Sequence, residues 1–395
     1  MSKECFSRHI STIRENTKAD SNNKGNYSFE AQKREELFNK YRGEGWSQEY
    51  KEYRENWKKF PKSKFISNYP LLVDIELASV CNLKCPMCYT ITTDFRKKVN
   101  AKLMNFDLYK KIIDEIAGEV SAIRLSLRGE STLHKKFIEC IEYARDKGIR
   151  EIAFLTNGST LDRETFIKIM QAGATWITVS FDGLGENYDK VRKPLKYEET
   201  LDKLKEIKNI KEEFGVNLPV IKVQGVWDYI KEDPELFYQT LSPYVDFVAF
   251  NPYIDFTKDP DSKVFIDNFY CPQLYQRLVI GADGLVLVCA NDEENTNVIG
   301  DANNESVHQI WHGEKLNFVR DKHKKPKGYQ ELDVCRHCYL PVETENHEKV
   351  SVNGREIIIQ NYRYKSDEVV ENSKKTTLEI PLETYNSSSE GDHAS

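Results

Sequence analysis

LLVDIELASVCNLKCPMC, residues 71–88, joins an apolar, β-branched run to three closely spaced cysteines. The first seven residues are typical of a strand that is buried on both faces. Cys81, Cys85 and Cys88 then follow within eight positions. They are one ligand short of a structural zinc site and one thiol too many for a disulfide. The stretch therefore predicts a chemical site at the end of a buried strand and leaves open what completes that site.

Beyond this strand the chain alternates between apolar strands and amphipathic helices with short connections. The predicted strands cover residues 71–77, 122–127, 151–158, 176–183, 219–227 and 245–253. The predicted helices between them cover residues 106–120, 135–148, 162–173, 197–215 and 234–244. Such alternation predicts an α/β fold with a parallel sheet, either as an open doubly wound sheet or as a barrel.

Polar motifs follow each of the first four predicted strands. After the cysteine loop come RGE at 128–130, TNG at 156–158 and SFDG at 180–183. In both architectures chemistry gathers at the carboxyl ends of the strands. We therefore expect these motifs to contribute to one site.

The composition limits the function classes. The 395 residues carry a formal net charge of -6, which argues against a general polyanion binder, so no nucleic-acid partner is expected. No apolar run approaches the length of about 18 residues typical of a membrane span, and the amino terminus lacks the apolar centre of a signal peptide. We expect a cytoplasmic protein without a membrane partner, in which cysteines are more often metal ligands or nucleophiles than disulfides.

The chain divides into four segments that differ in composition and in hydrophobic pattern. Residues 1–68 are highly charged and predict one or two surface helices that wrap on the main body. Residues 69–258 hold the alternating core. Residues 259–345 break the rhythm with a hairpin around Asp283-Gly284, a helix over 307–323 and the CRHC motif at 335–338. Residues 346–395 begin with a second hairpin at Asn353-Gly354, and beyond about Asp367 the composition is typical of a disordered tail.

The CxxxCxxC spacing after a first strand resembles the radical S-adenosylmethionine (radical SAM) superfamily, and the resemblance extends through residue 256. It implies a partial (β/α)6 TIM-type barrel in which Cys81, Cys85 and Cys88 hold a [4Fe–4S] cluster. S-adenosyl-L-methionine would chelate the open iron, and its reductive cleavage would yield a 5′-deoxyadenosyl radical that abstracts hydrogen from substrate. From the residues alone, zinc with a distant fourth ligand is the alternative.

The resemblance also implies roles for the strand-end motifs. Glu130 would pair with the ammonium group of the cofactor, and Gly129 would let the backbone come close. Ser180 would reach the ribose or the carboxylate, and Arg192 would bind the carboxylate through its guanidinium group. Met87 stands where the family has an aromatic residue near the adenine, and a thioether can pack there.

Two positions depart from the family pattern. Arg128 replaces the first glycine of the Gly-Gly-Glu element, and Ser131 replaces its usual proline. The backbone of this loop is therefore expected to differ locally. Asn157 is equally a turn former and a cofactor contact.

A second cysteine group stands in the carboxyl-terminal part of the chain. Its members are Cys271, Cys289, Cys335 and Cys338. The pattern resembles the SPASM/twitch domain of radical SAM enzymes, and four cysteines imply one fully ligated auxiliary [4Fe–4S] cluster, as in the shorter twitch form. A zinc site with four cysteine ligands is the alternative. His337 lies between two of the cysteines, and the spacing gives it little support as a ligand.

A cluster with four protein ligands has no free iron for substrate, so we expect it to accept an electron. This favours the oxidation of an alcohol, and resemblance to a cyclitol dehydrogenase of the family suggests a sugar or cyclitol. No catalytic base is assigned, and a flavodoxin- or ferredoxin-type reductant is the implied partner. The strand-end residues that can contact substrate are Tyr89, Gln224, Trp227, Asp228, Asn251 and Tyr253.

Three other functions stay open. A radical SAM epimerase needs a hydrogen-atom donor, and the spare thiols Cys5 and Cys140 are not well placed by sequence. A peptide-modifying maturase usually needs two auxiliary clusters, more than this cysteine count supplies. A non-catalytic metal-binding or electron-transfer protein would leave Glu130, Ser180 and Arg192 without a purpose.

Overall fold

The computed structural model describes residues 27–252 and 260–364, which are built around a ten-stranded sheet. The strands are β1 (Tyr27–Ser28), β2 (Leu72–Ile75), β3 (Ala122–Arg124), β4 (Glu151–Thr156), β5 (Trp176–Ser180), β6 (Val220–Val226), β7 (Phe247–Asn251), β8 (Arg277–Ile280), β9 (Leu285–Leu287) and β10 (Val298–Asp301). Their order across the sheet is β1-β7-β6-β5-β4-β3-β2-β8-β9-β10.

Helices connect these strands and extend toward both ends of the chain. They are α1 (Gln32–Arg42), α2 (Ser47–Ser63), α3 (Thr93–Lys98), α4 (Phe106–Ile116), α5 (Phe137–Asp146), α6 (Arg163–Ala172), α7 (Gly185–Val191), α8 (Tyr197–Phe214), α9 (Pro234–Leu241), α10 (Val307–His312), α11 (Glu314–Lys322) and α12 (Asp333–His337). A separate hairpin consists of β11 (Thr344–Val352) and β12 (Arg355–Tyr362).

Six consecutive strands, β2 to β7, are parallel and lie side by side in chain order. All four residues of β2 are buried, as expected for a strand covered on both faces. β8 joins β2 in parallel, whereas β1 joins β7 antiparallel. The predicted partial (β/α)6 barrel is confirmed, and β9 and β10 continue its sheet into the carboxyl-terminal domain.

The helices follow the apolar periodicity of the sequence. α4 buries Tyr109, Ile112, Ile113 and Ile116 on one face, which is the stripe that a surface helix presents to a core. Its first turn is capped by Asn105, whose side-chain oxygen accepts a hydrogen bond from the Asp107 amide at 2.7 Å. The apolar stripe and the amino-terminal cap of α4 therefore both match the helix predicted from the sequence.

Most predicted elements are present, and the differences lie at their ends. β3 stops at Arg124 because the Ser126 hydroxyl bonds to nearby backbone carbonyls and competes with the ladder. The single helix predicted over 307–323 is wrong, since extended backbone at Gly313 divides it into α10 and α11. Both predicted hairpins are present. The expected disordered tail, Cys5 and Tyr253 lie outside the described residues.

The amino-terminal helices α1 and α2 pack across the amino ends of the barrel strands. Arg42 forms a buried, two-pronged ion pair with Glu151, the first residue of β4, at N–O distances of 2.8, 2.9 and 3.0 Å. A small aromatic cluster on this extension covers the starts of β2 and β3. Its members are Trp46, Tyr50 and Tyr53, packed against Leu72 and Ala122. The extension therefore closes the end of the barrel opposite the cysteine loop.

None of the helices in residues 27–252 and 260–364 combines the length and apolarity needed to cross a membrane.

Candidate cofactor site and second metal centre

The cysteine loop leaves β2 and runs into a short 3-10 turn at Tyr89–Ile91. Cys81 is exposed, Cys85 is buried and Cys88 is half-buried. Burial raises the pKa of the Cys85 thiol to about 11 and also raises that of Cys81. Ionising these thiols is unfavourable unless a bound metal core supplies positive charge, so the loop fits an iron–sulfur cluster.

The spacing of the ligands bears on the zinc alternative. Within the part of the chain that the structure describes, no three His, Cys, Asp or Glu side chains converge as the ligands of a single metal ion would. Zinc–sulfur bonds of about 2.3 Å require that convergence.

The loop after β3 packs directly on the cysteine loop at Gly129. A Cβ atom at this position would lie 2.2 Å from the carbonyl oxygen of Val80 and 2.6 Å from that of Ala78. The next amide, that of Glu130, donates a hydrogen bond to the Val80 carbonyl at 2.8 Å. Glycine is thus required here because two backbones touch, and the contact places Glu130 beside the cysteines.

Glu130 is a buried carboxylate held by neutral donors. Oε1 accepts hydrogen bonds from the hydroxyls of Thr132 and Thr156 at 2.6 and 2.8 Å, and Oε2 accepts one from the Asn157 amide at 2.7 Å. Burial raises the pKa of Glu130, although these hydrogen bonds oppose the rise. Among the described residues it has no lysine or arginine partner, so a bound ammonium group would offset its buried charge.

Asn157 connects Glu130 to the cysteine loop. Its amide nitrogen binds the Glu130 carboxylate, and its side-chain nitrogen donates to Asn82 Oδ1 at 2.9 Å and lies 3.9 Å from Cys81 Sγ. The Asn157 side-chain oxygen also accepts from the Ser159 amide at 2.9 Å. The residue is therefore both a turn former and a site contact.

Arg192 follows α7 and reaches back to the cysteine loop. Its Nε donates to Asp182 Oδ2 at 2.7 Å, and one terminal nitrogen lies 3.7 Å from Cys85 Sγ. Asp182, from the SFDG motif, also accepts a hydrogen bond from the Val226 amide at 2.7 Å. Sequence reasoning did not single out Asp182, although it fixes Arg192 between β5 and β6.

Ser180 and Met87 stand apart from this network. Ser180 ends β5 opposite Gln224 of β6, and Met87 is half-buried between two cysteines. Within the described residues neither is hydrogen-bonded to Glu130 or Arg192.

The two departures from the family pattern have structural reasons. Arg128 is buried against Glu76, with N–O distances of 2.6 and 2.7 Å. The same guanidinium donates to the Glu293 carbonyl at 3.2 Å and to Asn295 Oδ1 at 2.7 Å, so it joins the barrel to the segment after β9. Ser131 donates its hydroxyl hydrogen to the Leu125 carbonyl.

The predicted substrate residues do not all face one space. Trp227 is buried and packs on Phe250 with ring centroids 4.8 Å apart, and Asp228 pairs with Lys231 at 2.9 Å on the surface. Gln224 and Asn251 end neighbouring strands and are half-buried. Asn251 Oδ1 is buried without a hydrogen-bond partner in the described ranges, which leaves it available to a ligand.

Tyr89 and Glu293 influence each other electrostatically at the junction of the barrel and the carboxyl-terminal domain. In the acidic run after Cys289, Asp292 accepts three hydrogen bonds from Thr296 and Asn297, and Glu294 pairs with Lys98 at 2.5 Å. The Glu293 carboxylate has neither a hydrogen bond nor an ion pair within the described chain. Burial, and then the neighbouring Glu294, raise its pKa to about 8. Its charge in turn raises the pKa of Tyr89, after the larger effect of burial.

The second cysteine group lines a small cavity. Cys271 precedes a 3-10 turn at Pro272–Tyr275, Cys289 follows β9, and Cys335 and Cys338 belong to α12 and its end. Apolar side chains complete much of the lining, namely Phe269, Val334, Leu340 and Pro341. Burial raises the pKa of Cys271 to about 12. Four thiols that line one largely apolar cavity, two of them buried and two half-buried, also fit an iron–sulfur core.

Polar groups in this cavity point at sulfur. The Asn291 side chain and the Leu340 amide each donate to Cys338 Sγ at 3.4 Å. His323 Nε2 lies 3.5 Å from Cys335 Sγ. His337 does not line the cavity and instead bonds to the Asp333 carbonyl at 2.9 Å. His323 escaped the sequence reasoning because it stands twelve residues before Cys335, outside any ligand spacing.

Sequence comparison divides the chain at the same places as the cysteines. Residues 75–231 match the family model described as the radical SAM superfamily, and residues 271–339 match that of the SPASM iron-sulfur cluster-binding domain. The first match spans the three-cysteine loop, and the second spans all four cysteines of the second cavity.

Two curated proteins and one solved structure illustrate the similarity. Fe-coproporphyrin III synthase of Methanosarcina barkeri is 37% identical over 112 residues, 28% of this chain and 27% of that protein, so the chain spans about a quarter of its length. The tungsten-containing aldehyde ferredoxin oxidoreductase cofactor-modifying protein of Pyrococcus furiosus is 25% identical over 257 residues, 63% of this chain and 71% of that protein. Streptococcus suis SuiB bound to precursor peptide SuiA has a TM-score of 0.50 at 14% identity, covering 73% of this chain and 75% of SuiB, a similarity of fold.

Proposed function

Since this chain belongs to the radical SAM superfamily and carries a carboxyl-terminal SPASM domain, we propose that it oxidises a small polar alcohol, of the sugar or cyclitol type, to a ketone. Family membership implies S-adenosylmethionine and two [4Fe–4S] clusters as cofactors. The predicted superfamily, fold and cofactors are thereby confirmed. The substrate class and the direction of the reaction are the content of this proposal.

The residues at the carboxyl ends of the barrel strands, here called the rim, are suited to bind S-adenosylmethionine and the first cluster. Cys81, Cys85 and Cys88 would hold the first cluster, Glu130 would receive the ammonium of the amino acid moiety, and Arg192 would receive its carboxylate. When bound, the cofactors supply removal of a hydrogen atom from a substrate C–H bond and, at the second site, a one-electron acceptor.

The observation that supports the oxidation is the four-cysteine cavity. Its thiols come from three separate segments and would supply all four ligands of a [4Fe–4S] cluster without any help from substrate. A centre with no open position can transfer electrons but cannot bind the substrate directly. An alcohol that becomes a ketone loses one hydrogen atom, one proton and one electron, and the last of these requires an acceptor of this kind.

Glu293 supports the proton step. Its carboxylate is uncommitted within the described residues, and its raised pKa of about 8 suits a group that takes a proton near neutral pH. It also stands near Tyr89, immediately after the cysteine loop, and on the segment that follows Cys289. In the proposed reaction Glu293 receives the hydroxyl proton of the substrate.

The test begins with anaerobic reconstitution of the full chain and an iron count. About eight irons per chain are expected, with 5′-deoxyadenosine formed when S-adenosylmethionine and a reductant such as flavodoxin or dithionite are added. A panel of cyclitols and sugars carrying deuterium at each carbinol carbon is then screened. The expected result is deuterium in 5′-deoxyadenosine and one ketone formed per deoxyadenosine.

Other outcomes would replace the proposal. About four irons with bound zinc would remove the electron acceptor. Deuterium return to the substrate with inverted configuration would indicate an epimerase. Modification of a peptide substrate, with no labelled cyclitol or sugar consumed, would indicate a maturase.

A further inference from the structure

His323 is the one histidine among the described residues that lines the four-cysteine cavity. It directly follows α11 and is only 4% exposed. Its Nε2 atom lies 3.5 Å from Cys335 Sγ, within reach of a hydrogen bond to sulfur. The cavity already contains four thiols, which is the full ligand number of a [4Fe–4S] cluster. His323 is therefore placed beside the ligand set rather than within it.

The ring of His323 is held in one orientation. It stacks on Tyr329 with centroids 5.6 Å apart and an interplanar angle of 26°, and it packs against Phe269 at 6.1 Å. Tyr329 is fixed in turn, because its hydroxyl donates to the Ile266 carbonyl at 2.7 Å. These contacts leave the imidazole little freedom to rotate away from Cys335.

The helix that presents His323 is also anchored. Arg320, one turn earlier, is 1% exposed and donates to the carbonyls of Leu274 and Trp311 at 3.1 and 2.8 Å. Leu274 belongs to the 3-10 turn that follows Cys271. The position of His323 relative to the cavity is thus set by hydrogen bonds on both sides.

The direction of this hydrogen bond follows from the chemistry of the ligand sulfur. A thiolate bound to a cluster has no hydrogen to donate, so the hydrogen comes from the ring. With the hydrogen on Nε2, the ring donates to Cys335, the acceptor that the structure places in front of it.

We propose that His323 donates a hydrogen bond through Nε2 to the Cys335 thiolate and thereby raises the reduction potential of the auxiliary cluster. A donor to a ligand sulfur stabilises the reduced, more negative form of a cluster more than the oxidised form. A higher potential makes the cluster a better electron acceptor. The inference rests on the proposed function, because it assigns this cluster the role of accepting the substrate electron. His323 is a positioning residue that acts through Cys335.

The test uses the full chain carrying the triple substitution of Cys81, Cys85 and Cys88 by Ala, so that the auxiliary cluster is the only one to be titrated. On this background His323→Phe keeps an aromatic ring without a donor, and His323→Gln keeps a donor. His347→Phe is the matched control, since His347 is exposed on β11. The midpoint potential is measured by redox titration monitored by EPR, together with the iron count and the circular dichroism spectrum.

We expect His323→Phe to retain about four irons and to lower the equilibrium constant for cluster reduction about tenfold, which is about 59 mV for one electron. His323→Gln should retain most of the wild-type potential, and His347→Phe all of it. An unchanged potential in His323→Phe with full iron would overturn the inference and leave the proposed function standing. Loss of iron in both His323 variants with a folded spectrum would show that His323 is a ligand, which also overturns the inference. If the triple variant binds no iron at all, the auxiliary cluster is absent and the proposed function fails with it.

Discussion

Cys81, Cys85 and Cys88 lie on a single loop of eight residues, whereas the four cysteines of the second group come from three separate segments. The loop stands at the end of β2 with one thiol exposed and with polar neighbours, including Glu130, Asn157 and Arg192. The second group lines a cavity with several apolar side chains. In the proposed assignment the same ligand atom therefore serves two arrangements. The first would leave a coordination position beside charged groups suited to an amino acid, and the second would complete its coordination without substrate.

The strongest test of this comparison is Cys85→Ala. Removing a buried thiol from a set of three should abolish binding of the first cluster, so 5′-deoxyadenosine formation should fall below detection while about four irons remain. Iron analysis and chromatography of the products measure both quantities.

Cys140→Ala is the matched control, since Cys140 is a buried free thiol within α5. It should keep about eight irons and full deoxyadenosine formation. Loss of activity in Cys140→Ala would revive the thiol-donor epimerase.

Cys289→Ala tests the four-cysteine cavity, the second region of the comparison. It should reduce the iron content to about four per chain and stop ketone formation, yet 5′-deoxyadenosine should still form because the rim loop is intact. Quantifying both products in one reaction separates the two sites. Equal loss of both products would mean that the cavity does not serve a separate step.

Arg128→Met probes the link between the two regions. It would leave Glu76 buried without its cation, which costs about 3–5 kcal/mol for a buried pair broken on one side. Chemical unfolding of the full chain should show the loss of stability. The double variant Glu76→Gln/Arg128→Met should recover part of that loss, because no uncompensated charge remains. An unchanged stability in Arg128→Met would show that this ion pair does not couple the regions.

Glu130→Gln tests whether the rim recognises an amino acid. The neutral amide keeps the shape of the side chain but removes the charge that would meet an ammonium group, so affinity for S-adenosylmethionine should fall about 10- to 100-fold, or about 1.4 to 2.7 kcal/mol. Isothermal titration calorimetry on reconstituted protein measures it. Glu186→Gln, at an exposed position on α7, should bind normally, and equal affinity in both variants would remove Glu130 from the cofactor site.

The smallest effect is expected for Glu293→Gln. The carboxyl has a pKa of about 8 in the folded chain and its ordinary value of 4.5 when unfolded. Its folded-state pKa is raised, so it favours folding below pH 4.5, and that contribution is lost as pH rises toward 8. Glu293→Gln should remove this loss and raise the melting temperature by about 2 °C at about pH 8. Glu186→Gln, at an exposed position on α7, is the control, and melting curves that stay parallel from about pH 5 to about pH 8 would contradict the burial of Glu293.

Much of the barrel could be predicted because its strands are apolar runs and its helices carry regular stripes. The same holds for the rim, since the polar motifs follow consecutive strands and parallel strands bring their ends together. The ends of the strands and helices were harder to predict. Ser126 shortens β3 through side-chain bonds to backbone carbonyls, and Gly313 breaks a helix whose apolar periodicity runs on. In both cases a local hydrogen bond or a backbone angle overrides the pattern.

The missed residues share a different cause. Asp182 and His323 contact partners that lie 10 and 12 residues away in the chain, and Glu293 is distinguished only by its burial, so no sequence spacing predicts these three residues. Arg128 looked like a defect in a glycine motif until its contacts with Glu76 and Asn295 were visible. Trp227 and Asp228 follow the right strand, yet one side chain enters the core and the other pairs on the surface. Direction of a side chain in a loop is set by tertiary packing, which periodicity does not report.

The contacts of Arg128 have a consequence for how the protein acquires iron. The residue stands two positions before Glu130, in the loop that packs on the first cysteine group. Its guanidinium donates hydrogen bonds to the segment four to six residues after Cys289. A cluster bound at either centre would restrict its own segment, and the Arg128 hydrogen bonds would pass part of that restriction to the other centre. Because such coupling is reciprocal, we expect the two clusters to assemble cooperatively, with partially loaded molecules scarcer than independent filling would give.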